Sequence, residues 1–347
     1  FPRTGVGEYL GHGLDEADLW SDIFLCLVGK SFDEKTGRGY TLPVIFINSI
    51  CDKIHKIRGT YSEEIIMVKI ITDTTSCLAP EIAQKFDIPV IPQIIYFGED
   101  SYYEGIDMDS AQFMSRLRSS RDLPKTAAPT PDFFIKEFER FVPSGEPILC
   151  IHPSSEVSGT VRSALTAAEG FPNADIRVLD TRTIGSPLGT MVELAAGWAR
   201  LGEDADTIIQ KLTNYQKRCK VYFLVATLEY LARGGRIGGA SALLGSVLQI
   251  KPILCVRDGR VDQYDRERTQ HRALMRLKEI TIELCPKDGN GLLSIMHADA
   301  AEEAEALADD LRKTINQENI PVVNVPPAIV THGGPGILAV AFFEADH

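Results

Sequence analysis

From Met67 onward the sequence alternates short apolar runs with amphipathic segments, and this alternation restricts the possible folds more than any other feature. Ile148–Ile151 and Ile176–Leu179 have the length of buried strands, and Val157–Glu169 between them has helical spacing. Pro131–Phe141 shows the same spacing, with its phenylalanines along one face. Repeated strand–helix units of this kind predict a parallel sheet covered by helices, which binds ligands at the carboxyl ends of its strands.

The pattern changes near residue 220. Lys251–Val256 and Arg260–Tyr264 flank Asp258-Gly259, a strong signal for a short β-hairpin. Closing strands are predicted near Ala328–Thr331 and Ile337–Phe343. We therefore predict two domains, an amino-terminal parallel-sheet α/β domain over 67–220 and a carboxy-terminal α+β domain over 221–347.

Residues 1–66 differ from the rest because they mix glycine-rich, acidic and apolar stretches without a sustained period. Met67 opens Met-Val-Lys-Ile-Ile-Thr-Asp, which suits a first strand. The codons of Glu63 and Glu64 fit a purine tract placed like a ribosome-binding site. We expect that residues 1–66 are translated upstream DNA and that the working protein starts at Met67. The alternative is a genuine, poorly ordered extension.

Charge and cysteine content limit the classes of partner. The chain has a formal net charge of −12, which argues against nucleic acid because binding to the phosphate backbone relies on clustered Lys and Arg. No apolar run approaches the roughly 18 residues that a membrane-spanning helix needs, and no secretory signal pattern opens the sequence. The cysteines form no CxxC pair, which indicates neither a zinc site nor a disulfide framework. We expect a soluble cytoplasmic protein without stable membrane insertion.

Common catalytic and nucleotide-binding motifs are absent from the sequence. It contains no GxxxxGK[ST] phosphate loop, no GxSxG nucleophile elbow and no HExxH zinc helix. The glycine-rich run Gly234–Gly239 does not match GxGxxG, and it follows a helical pattern rather than a strand. We therefore expect no catalytic residue, no metal site and no cofactor.

Three short polar segments lie where a strand or helix is predicted to begin or end. Thr126–Pro131 precedes a helix, and its proline suits the first helical position. Ser154–Thr160 follows a buried strand and opens a helix. The free N–H groups near Gly159 and Thr160, together with the positive end of the helix dipole, therefore form a candidate anion site. Thr331–Gly336 lies between two predicted late strands, where glycines let a ligand approach the backbone.

Each segment also has an interpretation that involves no ligand. Ser158 fits a helix cap, Thr126 a solvated loop residue and His332 a turn residue. Leu228–Arg236 fits a helix with a glycine end and a basic last turn. Pattern and composition alone therefore indicate a two-domain α/β protein with a candidate anion site.

Taken in order, these segments resemble the DegV family of bacterial proteins over essentially all of 67–347. The resemblance rests on these stretches: Lys69–Thr75 as the opening strand, Thr126–Thr130 as the family's TSxPS loop, Ser154–Thr160 as its SSxxSGT segment, Leu228–Gly238 with Gln249–Leu254 as its LxxLxxGGRI…NIKPIL stretch, Arg266–Thr269, and His332–Gly336. One departure is that Ala127 and Ala128 stand where the family favours Ser and Gln, so side-chain polarity is lost beside Thr126.

The resemblance implies a carrier that binds one long-chain fatty acid in an apolar tunnel between two domains. In one branch of the family a separate fatty-acid kinase then phosphorylates the carboxyl group with ATP. By position, Thr126 and Ser158 would donate hydrogen bonds to the carboxylate, His332 would approach from the second domain, and Arg236 would support the head-group network. Arg268 matches a basic position on the face offered to the kinase.

Two other functions fit the same residues. An acyl- or phosphoryl-transfer enzyme would use Ser158 as nucleophile and His332 as base. A signalling module would instead contact a partner through Arg268 in a lipid-dependent way.

Overall fold

The computed structural model describes residues 67–244 and 250–346, together with the backbone of two short strands near the amino terminus. Contacts between α-carbons divide the chain into two compact units, Phe1–Ile65 and Ile66–His347. In the first unit β1 (Ser31–Asp33) pairs antiparallel with β2 (Arg38–Tyr40). The rest of 1–66, which we expect to be translated upstream DNA or else a poorly ordered extension, lies outside the described residues.

The second unit contains mixed strands and helices. Its strands are β3 (Lys69–Asp73), β4 (Val90–Ile91), β5 (Ile94–Phe97), β6 (Asp100–Tyr103), β7 (Lys125–Ala127), β8 (Ile148–His152), β9 (Ile176–Asp180), β10 (Cys219–Leu224), β11 (Lys251–Arg257), β12 (Arg260–Glu267), β13 (Ser294–His297), β14 (Val322–Asn324) and β15 (Leu338–Phe343). Its α-helices are α1 (Pro80–Phe86), α2 (Ser110–Ser119), α3 (Pro131–Phe141), α4 (Thr160–Ala168), α5 (Ser186–Arg200), α6 (Ala205–Arg218), α7 (Glu229–Arg233), α8 (Gln270–Leu284), α9 (Ala301–Arg312) and α10 (Pro327–Gly333). Short 3₁₀ helices span Thr74–Ser76, Val142–Ser144 and Gly238–Leu243.

A parallel sheet forms one layer of this unit, in the order β4-β3-β8-β9. Successive residues of β3 point to opposite faces, as strand geometry requires. Ile70 packs in the cluster that contains residues of α5 and α6, and Ile71 packs in the cluster that contains the phenylalanines of α3. The predicted parallel sheet covered by helices is confirmed, and the structure has helices on both of its faces.

A second sheet is mostly antiparallel and has the strand order β12-β11-β10-β15-β13-β14. The β11–β12 hairpin turns at Asp258 and Gly259, which adopt φ values of 49° and 78°. Those left-handed values suit the Asp-Gly pair, so the predicted hairpin is confirmed. One face of this sheet packs on α8 and α9, and the other faces the rest of the unit.

The predicted strand near Ala328–Thr331 is wrong, because these residues belong to helix α10. Pro327 occupies the first helical turn, where its missing N–H costs nothing. The buried Glu104 carboxyl accepts the otherwise unpaired N–H of Ala328 at 2.6 Å. The β-branched run favours a strand locally, but the helix start overrides that preference. The strand in this region is β14, and His332 therefore lies in the last turn of a helix rather than between two strands.

The predicted domain boundary near residue 220 coincides with the start of β10. Because Ile66–His347 form a single compact unit by contacts, the division into two domains stays a prediction. Within the described ranges, no helix combines the length and apolar character that crossing a bilayer requires.

Candidate functional site

An apolar cavity of about 110 Å³, called the slot below, lies against the face of the antiparallel sheet that shares an apolar cluster with residues of β5 and α2. Its walls come from β10 to β13 and from α10. Representative lining residues are Val221, Phe223, Val256, Val261, Met296 and Ile337. Two polar side chains, Arg236 and His332, also line it. Their placement gives an otherwise apolar space a polar contact region.

His332 contacts the polar segment that precedes α3. Its Nε2 lies 2.7 Å from Oγ1 of Thr126, a residue of β7 that pairs with Ile95 in β5. Burial lowers the pKa of His332 to about 4, and the nearby positive charge of Arg236 acts in the same direction. His332 is therefore neutral at pH 7, with one ring nitrogen as donor and the other as acceptor.

Gly234 packs against one ring nitrogen of His332 and so bears on which nitrogen carries the hydrogen. A Cβ added to Gly234 would overlap Nδ1 of His332, so the glycine presents a C–H group to that nitrogen. Nδ1 has no hydrogen-bond partner in the part of the chain that is described. A C–H group cannot accept a hydrogen, so we assign the hydrogen to Nε2, which donates to Thr126. The hydroxyl hydrogen of Thr126 is then free to point into the site.

Ser158 lies two residues before the first residue of α4 proper, and it is half-buried. Its Oγ lies 2.8 Å from Oγ1 of Thr160 and accepts the Thr160 N–H at 3.3 Å. Gly159 is the N-cap, and a Cβ on it would lie 3.3 Å from Cβ of Ala128. The segment around Ser158 therefore packs directly against the loop that follows Thr126.

Arg236 joins the segments that surround the polar region. Its Nε donates to the carbonyl of Val157 at 3.0 Å, and its Nη1 donates to the carbonyl of Gly234 at 2.7 Å. Partial burial lowers the pKa of its guanidinium. Arg236 thus ties the residue before Ser158 to the glycine that packs on His332. The structure brings Thr126, Ser158, His332 and Arg236 around one region, while their contact with a ligand stays a prediction.

The remaining predicted contacts have different positions. Thr160 is fully buried, and its hydroxyl bonds other side chains rather than facing open space. Arg268 is exposed in the two-residue link between β12 and α8, and it does not line the slot. Its predicted role in binding a partner is separate from the slot.

Sequence reasoning missed a buried polar cluster at the carboxyl ends of β3 and β8. Asp73 ends β3 and His152 ends β8, and Oδ2 of Asp73 lies 2.8 Å from Nδ1 of His152. Gln93 joins them, with its Nε2 3.1 Å from Oδ1 of Asp73. All three side chains are buried. The available signal was that polar residues directly after two adjacent parallel strands mark the ligand-binding edge of such a sheet.

Glu104 is a second missed residue. It is buried, accepts the Ala328 N–H at the start of α10, and bonds the hydroxyl of Thr74. Burial raises the pKa of Glu104 to about 7. The hydrogen bonds from Thr74 and Ala328 lower this pKa, and the negative charge of Asp73 raises it further. Glu104 therefore joins the parallel-sheet side of the molecule to the helix that carries His332.

A nucleophile activated by a base would require a direct hydrogen bond between Ser158 and His332. Instead, Nε2 of His332 bonds Thr126 and Oγ of Ser158 bonds Thr160. This geometry does not assemble the pair that the acyl- or phosphoryl-transfer alternative needs.

Comparisons with known proteins agree with this fold. The model of the family described as "Uncharacterised protein, DegV family" matches residues 67–345. A DegV domain-containing protein of Halalkalibacterium halodurans is 34% identical over 277 residues, which cover 80% of this chain and 98% of that protein. A DegV domain-containing protein of Streptomyces coelicolor is 34% identical over 278 residues, 79% of this chain and 97% of that protein.

Solved structures give the same result. A fatty-acid-binding DegV family protein of Streptococcus agalactiae superposes with a TM-score of 0.75 at 29% identity, covering 81% of this chain and 100% of that one. DegV of Bacillus subtilis, described as a fatty-acid-binding protein, superposes with a TM-score of 0.73 at 28% identity, with 81% and 100% coverage. The match to the family over 67–345 and the full-length similarity to these relatives show that this chain belongs to the DegV family.

Proposed function

We propose that this chain binds a single long-chain fatty acid, with the acyl chain in the slot and the carboxylate beside Thr126, Ser158 and His332. The observation that carries the proposal is an apolar cavity bordered by a neutral histidine whose ring bonds a threonine 206 residues away in sequence. The relatives from Streptococcus agalactiae and Bacillus subtilis, which are described as fatty-acid-binding, support it.

The energetics of an acyl chain are sufficient for such a site. A sixteen-carbon chain would bury about fourteen methylenes, which contributes on the order of 11 kcal/mol at about 0.8 kcal/mol each. Losses of translational freedom and chain ordering offset at least about 4 kcal/mol of this. No ion pair is needed for useful affinity, and the carboxylate requires only satisfied hydrogen bonds, which the hydroxyls of Thr126 and Ser158 can donate.

The slot must widen to hold a long chain, because sites for small molecules usually measure about 300 Å³ or more and the slot measures about 110 Å³. Met296 is the lining residue best suited to move. Its Sδ accepts the Ser186 N–H at 3.1 Å and lies 2.5 Å from where a Cβ of Gly185 would be. Methionine is unbranched and has several rotatable bonds, so it can repack around a ligand.

We expect Met296→Ala to shift the bound fatty acids toward longer chains by up to about three methylenes, because three side-chain heavy atoms are removed from the wall. Mass spectrometry of the acids that co-purify with the full chain measures the distribution. Met275→Ala, at a site 41% exposed on α8, is the matched control and should leave the distribution unchanged. An unaltered distribution in Met296→Ala would show that this side chain does not limit chain length.

The head-group assignment predicts that Ser158→Ala and Thr126→Val each weaken retention of a fatty acid. Each change leaves a buried carboxylate oxygen without a donor, at a cost of about 1–3 kcal/mol, or roughly 5- to 150-fold in affinity. Occupancy by native mass spectrometry, during titration of the delipidated chain with hexadecanoate, gives the measurement. Equal occupancy in the parent chain and both variants would contradict the assignment.

We further propose that this chain presents the bound acid to a fatty-acid kinase. Arg268 is exposed and lies away from the slot, which supports a role in contacting such a partner. Arg268→Ala is therefore a useful control in the same titration. It should retain hexadecanoate fully and yet slow formation of the acyl phosphate when a fatty-acid kinase and ATP are added. Ser115→Ala, on the exposed face of α2, should change neither quantity.

A further inference from the structure

A line of hydrogen bonds connects Ser158 to the buried carboxylate of Asp73. Oγ of Ser158 lies 2.8 Å from Oγ1 of Thr160, which lies 2.9 Å from Nε2 of Gln93. The same Nε2 lies 3.1 Å from Oδ1 of Asp73. Asp73 and Thr160 are fully buried and Gln93 is 3% exposed, so water does not compete for the bonds among these three residues.

The direction of each bond follows from Asp73. Its oxygens accept the backbone N–H of Thr75 at 3.0 Å and the Thr75 hydroxyl at 2.6 Å, and they also contact Nδ1 of His152. A carboxylate with these partners acts as an acceptor, so Gln93 must turn its NH₂ group, and not its carbonyl, toward it. The second hydrogen of that NH₂ group is then directed at Oγ1 of Thr160.

The donor and acceptor roles at Thr160 determine those at Ser158. Oγ1 of Thr160 accepts from Gln93, so its single hydroxyl hydrogen is the one that bonds Oγ of Ser158. Ser158 Oγ also accepts the Thr160 N–H, which occupies both of its lone pairs. The hydroxyl hydrogen of Ser158 is therefore left to donate to a group outside this line.

We propose that Gln93 is a positioning residue that holds Ser158 as a hydrogen-bond donor and thereby makes the site prefer a carboxylate over head groups that must donate, such as a primary alcohol. This inference rests on the proposed function. A carboxylate has only acceptors and gains from a fixed donor. An alcohol of the same chain length binds less favourably. Its hydroxyl hydrogen needs an acceptor, but the hydroxyls of the site already direct their own hydrogens toward the ligand.

Gln93→Glu reverses the donor and acceptor roles in the hydrogen bonds between residue 93, Thr160 and Ser158. The introduced carboxylate has no hydrogen for Thr160, so the Thr160 hydroxyl turns toward it and Ser158 must donate to Thr160. Oγ of Ser158 then faces the ligand as an acceptor. We expect the affinity of hexadecanoate relative to hexadecan-1-ol to fall roughly tenfold or more. Competition between the two ligands for the delipidated full chain, read by native mass spectrometry at pH 8, measures this ratio.

Acidification separates reversal of the bonds from damage to the fold. The introduced carboxyl lies beside Asp73, and a neighbouring like charge raises its pKa. When it is protonated it can donate to Thr160, so lowering the pH should return the ratio toward that of the parent chain measured at the same pH. A damaged site would not recover in this way. Thermal unfolding of each variant without ligand checks the fold directly.

Gln93→Met is the second variant, of similar size and without charge. It removes the donor to Thr160 without adding an acceptor, so the ratio should fall less than in Gln93→Glu. If both variants bind hexadecanoate and show the parent ratio, the positioning role of Gln93 is overturned while the proposed function stands. If the parent chain binds neither ligand, the proposed function itself is overturned.

Discussion

Replacing Gly234 by alanine is expected to weaken binding of a fatty acid, the ligand we propose for this chain, although the backbone angles at residue 234 suit alanine. Gly234 has φ −75° and ψ −8°, values that alanine adopts readily. The added Cβ would overlap Nδ1 of His332, so the ring must leave its position over the glycine. Thr126 then loses the donor that sets its hydroxyl direction. We expect retention of hexadecanoate to weaken by about 2–3 kcal/mol, or roughly 30- to 150-fold.

A matched glycine and a double mutant make this test specific. Gly197 lies within α5 with nothing within 4 Å of an added Cβ, so Gly197→Ala should stabilise the chain slightly and leave binding unchanged. In a chain that already carries His332→Ala, the added methyl group at residue 234 has no ring to displace. Gly234→Ala should then weaken retention of hexadecanoate almost no further. Full additivity of the two changes would mean that Gly234 acts through something other than the histidine.

The second large effect is a pH dependence of stability caused by Glu104. Its pKa in the folded chain is about 7, above the ordinary 4.5. As the pH rises from 4.5 to 7, the unfolded chain therefore loses this proton first while the folded chain retains it. The folded state then binds more protons, so the free energy of unfolding falls with rising pH over this range. The difference in pKa corresponds to about 3 kcal/mol.

His332 acts in the opposite direction, because its pKa is lowered from 6.5 to about 4. Its contribution is fully present above pH 6.5 and is lost as the pH falls toward 4. The two effects oppose each other over much of the same range in the parent chain. The stability of Glu104→Gln must therefore be compared with that of the parent chain at each pH, which leaves only the effect of Glu104.

An amide does not titrate. We therefore expect the free energy of unfolding of Glu104→Gln, relative to that of the parent chain, to rise by about 3 kcal/mol between pH 4.5 and pH 8. Urea unfolding at a series of pH values supplies the measurement. Glu169→Gln, at an exposed position after α4, is the control and should follow the parent profile. Parallel profiles for Glu104→Gln and the parent chain would rule out the ionisation of Glu104 as the cause.

The sequence pattern correctly predicted those helices and strands whose local conformational preference agrees with their tertiary packing. The helix Pro131–Phe141 has its apolar residues on one face, and that face packs on the parallel sheet. The Asp-Gly pair adopts the left-handed values that its hairpin requires. Ile329–Thr331 shows the limit of this reasoning. A β-branched run favours a strand, but Pro327 and a carboxyl more than two hundred residues away in sequence start a helix there.

The ordered polar segments were sufficient to predict Thr126, Ser158, His332 and Arg236 as neighbours, and the structure places them around one region. The buried residues that link these segments through hydrogen bonds could not be predicted in the same way. Gln93 and Glu104 belong to no motif, and each acts through a partner distant in sequence.

The sequence by itself determined the family, the parallel sheet and two polar residues of the slot, Arg236 and His332, because these depend on local period and on the order of short motifs. Only the tertiary structure decided which polar groups lie within hydrogen-bonding distance of Ser158 and His332, and which buried carboxyl has a raised pKa. The physical reason is that burial and long-range hydrogen bonds set proton positions, and both depend on groups that folding brings together.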